Sequence, residues 1–358
     1  MTRRVRRLAA ALLAIAALAA LAWMLRTPIA MAIVERGALA RLSADPVGAL
    51  PDGLHVGLCG AGSPFPDERR GGPCTLVLAG RRLLVFDAGS GALRGLARLG
   101  FEAGRIDEVL LTHLHSDHLD GLGELLLQRW VGGARTSPAP VHGPAGVETV
   151  VDGLGRVYAA DRGYRVAHHG ESIVPPGGAG GTSRPIVLGA DGRAVVIADG
   201  ELEVVAFAVD HSPVHPALGY RIRYRDRIVV LSGDTRRSDA VRREAEGVDL
   251  LVHEALSRPL LAVLARAADA AQRPNLVKLF ADIVDYHATP EEAAETARDA
   301  RVGYLLLNHI VPPLPMTALE NAFLGDAPRL WNGPIRVGRD GDFVSLPAGS
   351  RAISLTHR

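Results

Sequence analysis

The sequence predicts an α+β domain built as a four-layer αββα sandwich, two mixed β-sheets packed face to face and covered by helices. Three observations predict it. Short runs rich in Val, Leu and Phe, separated by Gly and Pro turns, crowd the first part of the chain after residue 53. Later apolar runs alternate with helical stretches. Residues able to bind a metal recur just beyond the ends of the apolar runs. No internal repeat with a period of 20–50 residues is visible.

The bulk composition fits one large domain behind a distinct N-terminus. Of 358 residues, 48% are hydrophobic and 22% charged, which supports a sizeable core. A formal net charge of +1 gives no whole-molecule attraction to nucleic acid. Four arginines, Arg3, Arg4, Arg6 and Arg7, precede an uncharged run of 18 residues from Leu8 to Leu25. As a helix that run is about 27 Å long, near the ~30 Å of a hydrocarbon layer. The basic flank stays cytoplasmic and sends the rest of the chain outward. Residues 1–30 are therefore expected to be a membrane anchor or a signal segment, Ala20-Leu21-Ala22 being a small-x-small cleavage pattern. The expected place is a single pass of an inner membrane, with the domain periplasmic, or secreted if the segment is cleaved. Residues 31–52 read as a linker with some helix, and 53–350 as the domain.

Within the domain, strands are expected at Leu54–Cys59, Thr75–Ala79 and Arg82–Phe86, then a helix at Ala92–Leu99. A short strand, Ile106–Leu111, ends at a histidine cluster, and a helix follows to Trp130. Residues 152–200 are less regular. Pro175-Pro176-Gly177-Gly178-Ala179-Gly180-Gly181 is a loop signal, so this stretch reads as an insertion near the mouth of the site. Strands return at Glu201–Val209, Leu218–Tyr224, Arg227–Leu231 and Asp249–Val252. Thr289-Pro290-Glu291-Glu292 is an explicit helix start, with Thr at the N-cap, Pro at the first helical position and Glu at the third. Tyr304–Leu307 is a buried strand, and a hairpin over Ile335–Leu346 turns at Arg339-Asp340-Gly341-Asp342.

The chemistry concentrates in His113-Leu114-His115-Ser116-Asp117-His118. Three imidazoles and a carboxylate fall in six residues directly after a strand, a combination that suits zinc and similar metals. In extended backbone His113 and His115 point the same way and can share one ion. Asp117 and His118 lie past the bend and can face a second. Further donors stand beyond other strands: His211 after Val204–Val209, Asp234 after Ile228–Leu231, and His309 after Tyr304–Leu307. His215, four residues past His211, competes with it; the pair Asp210-His211 favours His211.

These motifs, taken in order, resemble the metallo-β-lactamase superfamily, in the branch containing ribonuclease Z and certain zinc arylsulfatases. They are Phe86-Asp87-Ala88-Gly89, Thr112 to His118, Asp210-His211, Gly219-Tyr220-Arg221, Ser232-Gly233-Asp234-Thr235, His253-Glu254-Ala255 and Asn308-His309, covering about residues 54 to 347. The resemblance implies the metallo-β-lactamase fold and two Zn²⁺, other divalent transition metals being possible. One ion would take His113, His115 and His211, and the other Asp117, His118 and His309. Asp234 would bridge them, and Asp87 would orient the ligand loop. True zinc β-lactamases generally carry Cys at the bridging position, so the resemblance points to an ester or diester hydrolase. A water held between two cations ionises readily and would supply the attacking hydroxide. Asp117 is counted with the catalytic residues. His253 is the expected proton donor to the leaving group, although the family's His-Glu-Ala-Thr here reads His253-Glu254-Ala255-Leu256. His287 would join Glu254 in a supporting network.

The other candidates carry less. His142 is expected at the cleft edge, and His168 and His169 beside the Gly-rich loop. Trp130 is read as core, with a pocket floor as the alternative. Cys59 and Cys74 sit near predicted neighbouring strands and would pair in an exported domain; unpaired burial is the plainer expectation.

The expected function is hydrolysis of a phosphodiester, a sulfate ester or a similar small anionic substrate outside the cytoplasm. A ribonuclease Z-like endoribonuclease is the alternative. The predicted topology and the lack of a basic arm argue against it, so nucleic acid is an unexpected partner. A non-catalytic, membrane-tethered metal-binding module would show lost ligands, and all seven candidates are present.

Overall fold

The computed structural model describes residues 2–358, which separate into two compact units, residues 2–50 and Pro51–Arg358. The first is dominated by one helix, α1 (Arg3–Leu42), whose residues are all exposed. It is longer than the expected anchor, because Pro28 does not interrupt it and the linker to residue 42 is helical as well. At ~1.5 Å per residue the helix measures about 60 Å. Its apolar part is long enough to cross a membrane by length and composition.

The second unit is the sandwich the sequence predicts. One sheet has eight strands, β1 (Gly53–Gly60), β2 (Cys74–Ala79), β3 (Arg82–Phe86), β4 (Glu108–Leu110), β5 (Ala139–Gly143), β6 (Gly181–Pro185), β14 (Asp342–Pro347) and β15 (Ser354–His357), in the order β15-β14-β1-β2-β3-β4-β5-β6. The other has seven, β7 (Arg193–Asp199), β8 (Leu202–His211), β9 (Val214–Tyr224), β10 (Arg227–Leu231), β11 (Leu250–Leu256), β12 (Leu305–Val311) and β13 (Ile335–Val337), in the order β13-β12-β11-β10-β9-β8-β7. Leu54, Val56, Phe86 and Val344 of the first sheet interlock with Val204, Ile222, Val229 and Leu306 of the second. Each such side chain contributes roughly 1.5–3 kcal/mol by leaving water.

Helices cover the outer faces. α2 (Ala92–Leu99) lies on β1 so closely that a Cβ at Gly95 would sit 1.7 Å from Cys59 O, which only glycine allows. α3 (Leu122–Gly133) follows the histidine cluster. On the second sheet, α6 (Pro290–Asp299) packs Ala293, Ala294 and Ala297 against Leu251 and Leu305. Small residues let that helix approach the sheet. α6 starts with the capping box read from the sequence: Glu292 N donates to Thr289 Oγ1 at 3.2 Å, and Thr289 N donates to Glu292 Oε2 at 2.8 Å.

The stretch 152–200 is more regular than the sequence suggested. It holds the end of α4 (Val147–Val157), then α5 (Ala159–His169), β6 and β7, so it supplies an edge strand to each sheet. The cysteines also differ from expectation. Cys59 and Cys74, at the adjoining ends of β1 and β2, form a disulfide with their Cα atoms 5.0 Å apart. A bulge between Leu58 and Gly60 shifts the register there, so Gly60 pairs with Cys74 and Cys59 lies in the bulge.

The registers fix where a site can stand. Gly60 pairs with Cys74, Thr75 with Phe86, and Phe86 with Leu110, so β1, β3 and β4 finish at one end of their sheet. Leu231 pairs with Val252, and Val252 with Leu306, in parallel, so β10, β11 and β12 run together as well.

Candidate metal centre

The seven sequence-predicted metal ligands, His113, His115, Asp117, His118, His211, Asp234 and His309, come together at strand ends, while His215, the competing candidate, does not join them. Asp87 follows β3 and organises the loop after β4. Its Oδ1 accepts Thr112 N at 2.8 Å, and its Oδ2 accepts Thr112 Oγ1 at 2.9 Å and the Nδ1 hydrogen of His118 at 2.9 Å. The two loops are also tied through backbone, Ala88 N to His118 O at 2.8 Å and Gly121 N to Ala88 O at 2.8 Å. A Cβ at Gly89 would lie 2.3 Å from Asp117 O, so this contact requires glycine. Asp87 and His309 both hold left-handed backbone, φ 57° and 46°. Non-glycine residues rarely persist there unless the surroundings impose it, as at functional sites.

Two donor groups converge. In one, His115 Nδ1 lies 2.9 Å from His113 Nε2 and 3.4 Å from His211 Nε2. In the other, Asp117 Oδ2 lies 3.4 Å from His118 Nε2 and 3.3 Å from His309 Nε2. Asp234 Oδ2 stands between them, 3.3 Å from His118 Nε2, 3.2 Å from His309 Nε2, and 3.9 Å from both His113 Nε2 and His211 Nε2. Donors at ~2.05 Å around a tetrahedral ion are about 3.3 Å apart. The spacing within each group therefore fits a divalent cation. Among the described residues the buried Nε2 of His118 has no hydrogen-bond partner, and an orphaned polar atom in the cluster suits the same occupant.

The rings differ in protonation: burial works against a charge on His118, but the carboxylates of Asp234, Asp87 and Asp117 raise it well above its ordinary pKa. Burial keeps His113 well below its ordinary pKa and lowers His115 and His211, the last to about 4, so these rings present lone pairs. His211 donates its Nδ1 hydrogen to Tyr286 O at 3.0 Å, which leaves Nε2 free for the cluster. Burial pushes the Asp234 carboxyl up, but His309 and His118 outweigh it and hold the group ionised.

Glu254 and His287 join the cluster. His287 Nδ1 lies 3.1 Å from Glu254 Oε1, which also accepts Ala288 N at 3.0 Å and Thr235 N at 3.1 Å. The His287 ring sits 5.3 Å from that of His211 and 5.2 Å from that of His309. His253, the expected proton donor, is 1% exposed and directs Nδ1 to Glu254 O at 2.7 Å. Neighbours on a strand point to opposite faces. On β11 Glu254 faces the cluster and His253 faces away.

Of the remaining candidates, His215 is exposed and contacts Ser212 Oγ at 3.0 Å, outside the donor groups. His142 pairs with Glu108 at 2.5 Å on β5. His168 and His169 end α5, exposed. Trp130 is 1% exposed and donates to Pro175 O at 2.6 Å, core as read. Two contributors were not singled out from the sequence. Thr112 links Asp87 to the loop. Tyr286 accepts from His211 and packs its ring 4.7 Å from that of His287. Adjacency to His287 was the only signal for Tyr286.

A two-sheet sandwich carrying a buried His/Asp cluster at its strand ends defines a metal-dependent hydrolase. The family described as the beta-lactamase superfamily domain matches residues 81–310. The chain is 39% identical over 298 residues to a ribonuclease Z of Mycolicibacterium gilvum (strain PYR-GCK), spanning 83% of this chain and 97% of that one. It is 36% identical over 298 residues to the ribonuclease Z of Mycobacterium marinum (strain ATCC BAA-535 / M), spanning 80% and 96%. Its fold resembles that of the short form of human tRNase Z, with a TM-score of 0.58 at 23% identity over 82% of this chain and 99% of that one. The metallo-beta-lactamase fold protein YhfI of Bacillus subtilis gives 0.57 at 19% identity over 82% and 99%. The chain belongs to the metallo-β-lactamase superfamily, and the fold implies a divalent metal at the His/Asp cluster.

Proposed function

We propose that the chain is a two-metal phosphodiesterase that cleaves RNA, the activity its relatives' name describes. The observation that carries this reading is the position of Asp234, one carboxylate oxygen within 3.9 Å of four imidazoles drawn from both donor groups. A carboxylate so placed suits two cations better than one. His113, His115 and His211 would hold the first, and Asp117, His118 and His309 the second, with Asp234 shared; zinc fits this donor set. When bound, the ions supply an acidified water and polarise the phosphate.

The chain's own residues do the rest. Asp87 keeps the His118 tautomer fixed, and Tyr286 O does the same for His211. His287, held by Glu254, is the proton donor to the leaving oxygen. His287 is preferred to His253 for that role, since His253 is buried and spends Nδ1 on Glu254 O.

The test is the full chain, loaded with Zn²⁺, on bis(p-nitrophenyl) phosphate and on an RNA hairpin with a single-stranded 3′ extension. Cleavage of both is expected. Turnover of the small diester without the RNA would remove the endoribonuclease, and turnover of neither would remove the phosphodiesterase.

Two features favour a second reading, an exported hydrolase of a small anionic ester. They are the apolar α1 behind four arginines and the Cys59–Cys74 disulfide, a bond that persists in oxidising compartments. A topology reporter fused after Leu346 decides for it if it reports outside the cytoplasm, and against it otherwise.

A further inference from the structure

Arg70 is a buried guanidinium whose hydrogen-bonding capacity is mostly unspent. Its side chain is 4% exposed, and its Nε donates to Gly338 O at 3.0 Å. Its two terminal amino groups approach carboxylates only at 3.8 Å, at Asp67 and at Glu320, beyond hydrogen-bond range. Burying a charged group without filling its donors is costly. These amino groups open onto a hollow of about 160 Å³, lined also by Arg69, Arg98 and Arg339.

The lining is basic on balance, four arginines against the carboxylates of Glu320 and Asp340. Both carboxylates are engaged. Asp340 accepts Ala61 N at 2.9 Å and Gly71 N at 2.8 Å, and Glu320 pairs with Arg339 at 2.7 Å. Arg98 is 51% exposed and Arg339 31%, so their heads can turn toward an incoming anion.

The hollow and the metal centre share a wall. Ala61 O accepts Ile310 N at 3.0 Å, one residue past His309, and Gly338 N donates to Leu307 O at 2.8 Å. At the other end of the same loop, a Cβ on Gly72 would stand 3.0 Å from Asp117 O. The segment from Ala61 to Gly72 thus has Asp340 on one side and Asp117 on the other.

We propose that this hollow is a binding station for a phosphate-type oxyanion, seated on the Arg70 fork with Arg98 and Arg339 at the rim. A planar fork of donors matches the oxygens of such an anion. The proposal rests on the phosphodiesterase reading for its main source of anion: a neighbouring phosphate of a strand whose scissile phosphate lies at the metals. Free inorganic phosphate has the same chemistry and is the other source. A small diester, with one phosphate, reaches only the metals.

The test uses the full chain in detergent, stripped of metal so that nothing turns over. A fluorescein-labelled RNA octamer is titrated and read by anisotropy, and inorganic phosphate is titrated separately by calorimetry. The comparison is between wild type, the double variant Arg98→Gln/Arg339→Gln, and Arg70→Lys, which keeps the charge but loses the fork. Uptake of metal on reloading shows that each variant is folded. We expect octamer affinity to fall tenfold or more in the double variant and severalfold in Arg70→Lys, with a shallower salt dependence. If the octamer is unaffected but phosphate binding to wild type is lost in the variants, the station takes free phosphate. Octamer and phosphate affinities within twofold of wild type in both variants would overturn the proposal. Failure of wild type to cleave any phosphodiester would overturn the proposed function and leave these binding results standing.

Discussion

His287 meets the carboxylate of Glu254 at 3.1 Å, while His253, next to Glu254 in sequence, turns its ring away from the metal cluster. Glu254 is fixed by two backbone amides as well, so it can hold His287 in one orientation. Substituting His287→Ala should lower kcat by about 10²–10⁴-fold, the usual worth of a positioned proton donor, with bound metal unchanged. His253→Ala should leave kcat near wild type and instead cost about 1–3 kcal/mol of stability, the range of a disturbed buried site. Steady-state kinetics, metal analysis and urea unfolding of the two variants check this. The reverse pattern restores the role to His253.

Asp234 and Asp87 should separate by what their loss removes. Asp234→Ala deletes the oxygen that both donor groups approach. Metal content after dialysis should fall below that of wild type, and activity should vanish. Asp87→Ala leaves every donor in place but releases Thr112 and His118. Loss of such a supporting partner typically weakens metal binding 10–100-fold. Activity should therefore return at raised Zn²⁺ for Asp87→Ala and stay absent for Asp234→Ala. Equal rescue of both would contradict the shared-carboxylate arrangement.

How far the sequence carried depends on whether a feature is local. The run from His113 to His118 is legible because six adjacent residues hold its chemistry. Asp234 and His309 are legible because each closes a short apolar strand that reads plainly. The choice between His253 and His287 is not local. It depends on which face of β11 looks into the site, and β11 is buried on both faces, so no hydrophobic alternation marks the answer. The strands within 152–200 are not legible for a similar reason. The Gly-Pro run is a true loop, but β6 pairs with β5 and β7 with β8, and these partners are not visible in the segment itself.

The disulfide is another non-local feature: Cys59 sits in a bulge next to Gly60, the residue that pairs with Cys74. It closes a loop of 15 residues, for which chain entropy suggests about 3 kcal/mol. The loop contains Arg69, Arg70 and the glycines that touch Ser90 and Asp117, so its order matters to the site. Cys59→Ala/Cys74→Ala should lower the unfolding free energy by roughly that amount in urea. Thiol titration of denatured wild type should find no free thiol before reduction and two afterwards. Two free thiols without reductant would remove the cross-link and the argument for an oxidising compartment with it.

The cap of α6 bears on stability more than on chemistry. Thr289 and Glu292 satisfy each other's backbone donors reciprocally. Thr289→Ala removes one of the two bonds and should cost about 1 kcal/mol. The helix packs on β11, whose Glu254 accepts from Ala288 N just before the cap, so the strain could reach the site. Thr289→Ser keeps the oxygen and should restore most of the stability. If Thr289→Ala instead lowered kcat while leaving stability intact, the cap would be positioning His287, two residues upstream, more than holding the helix.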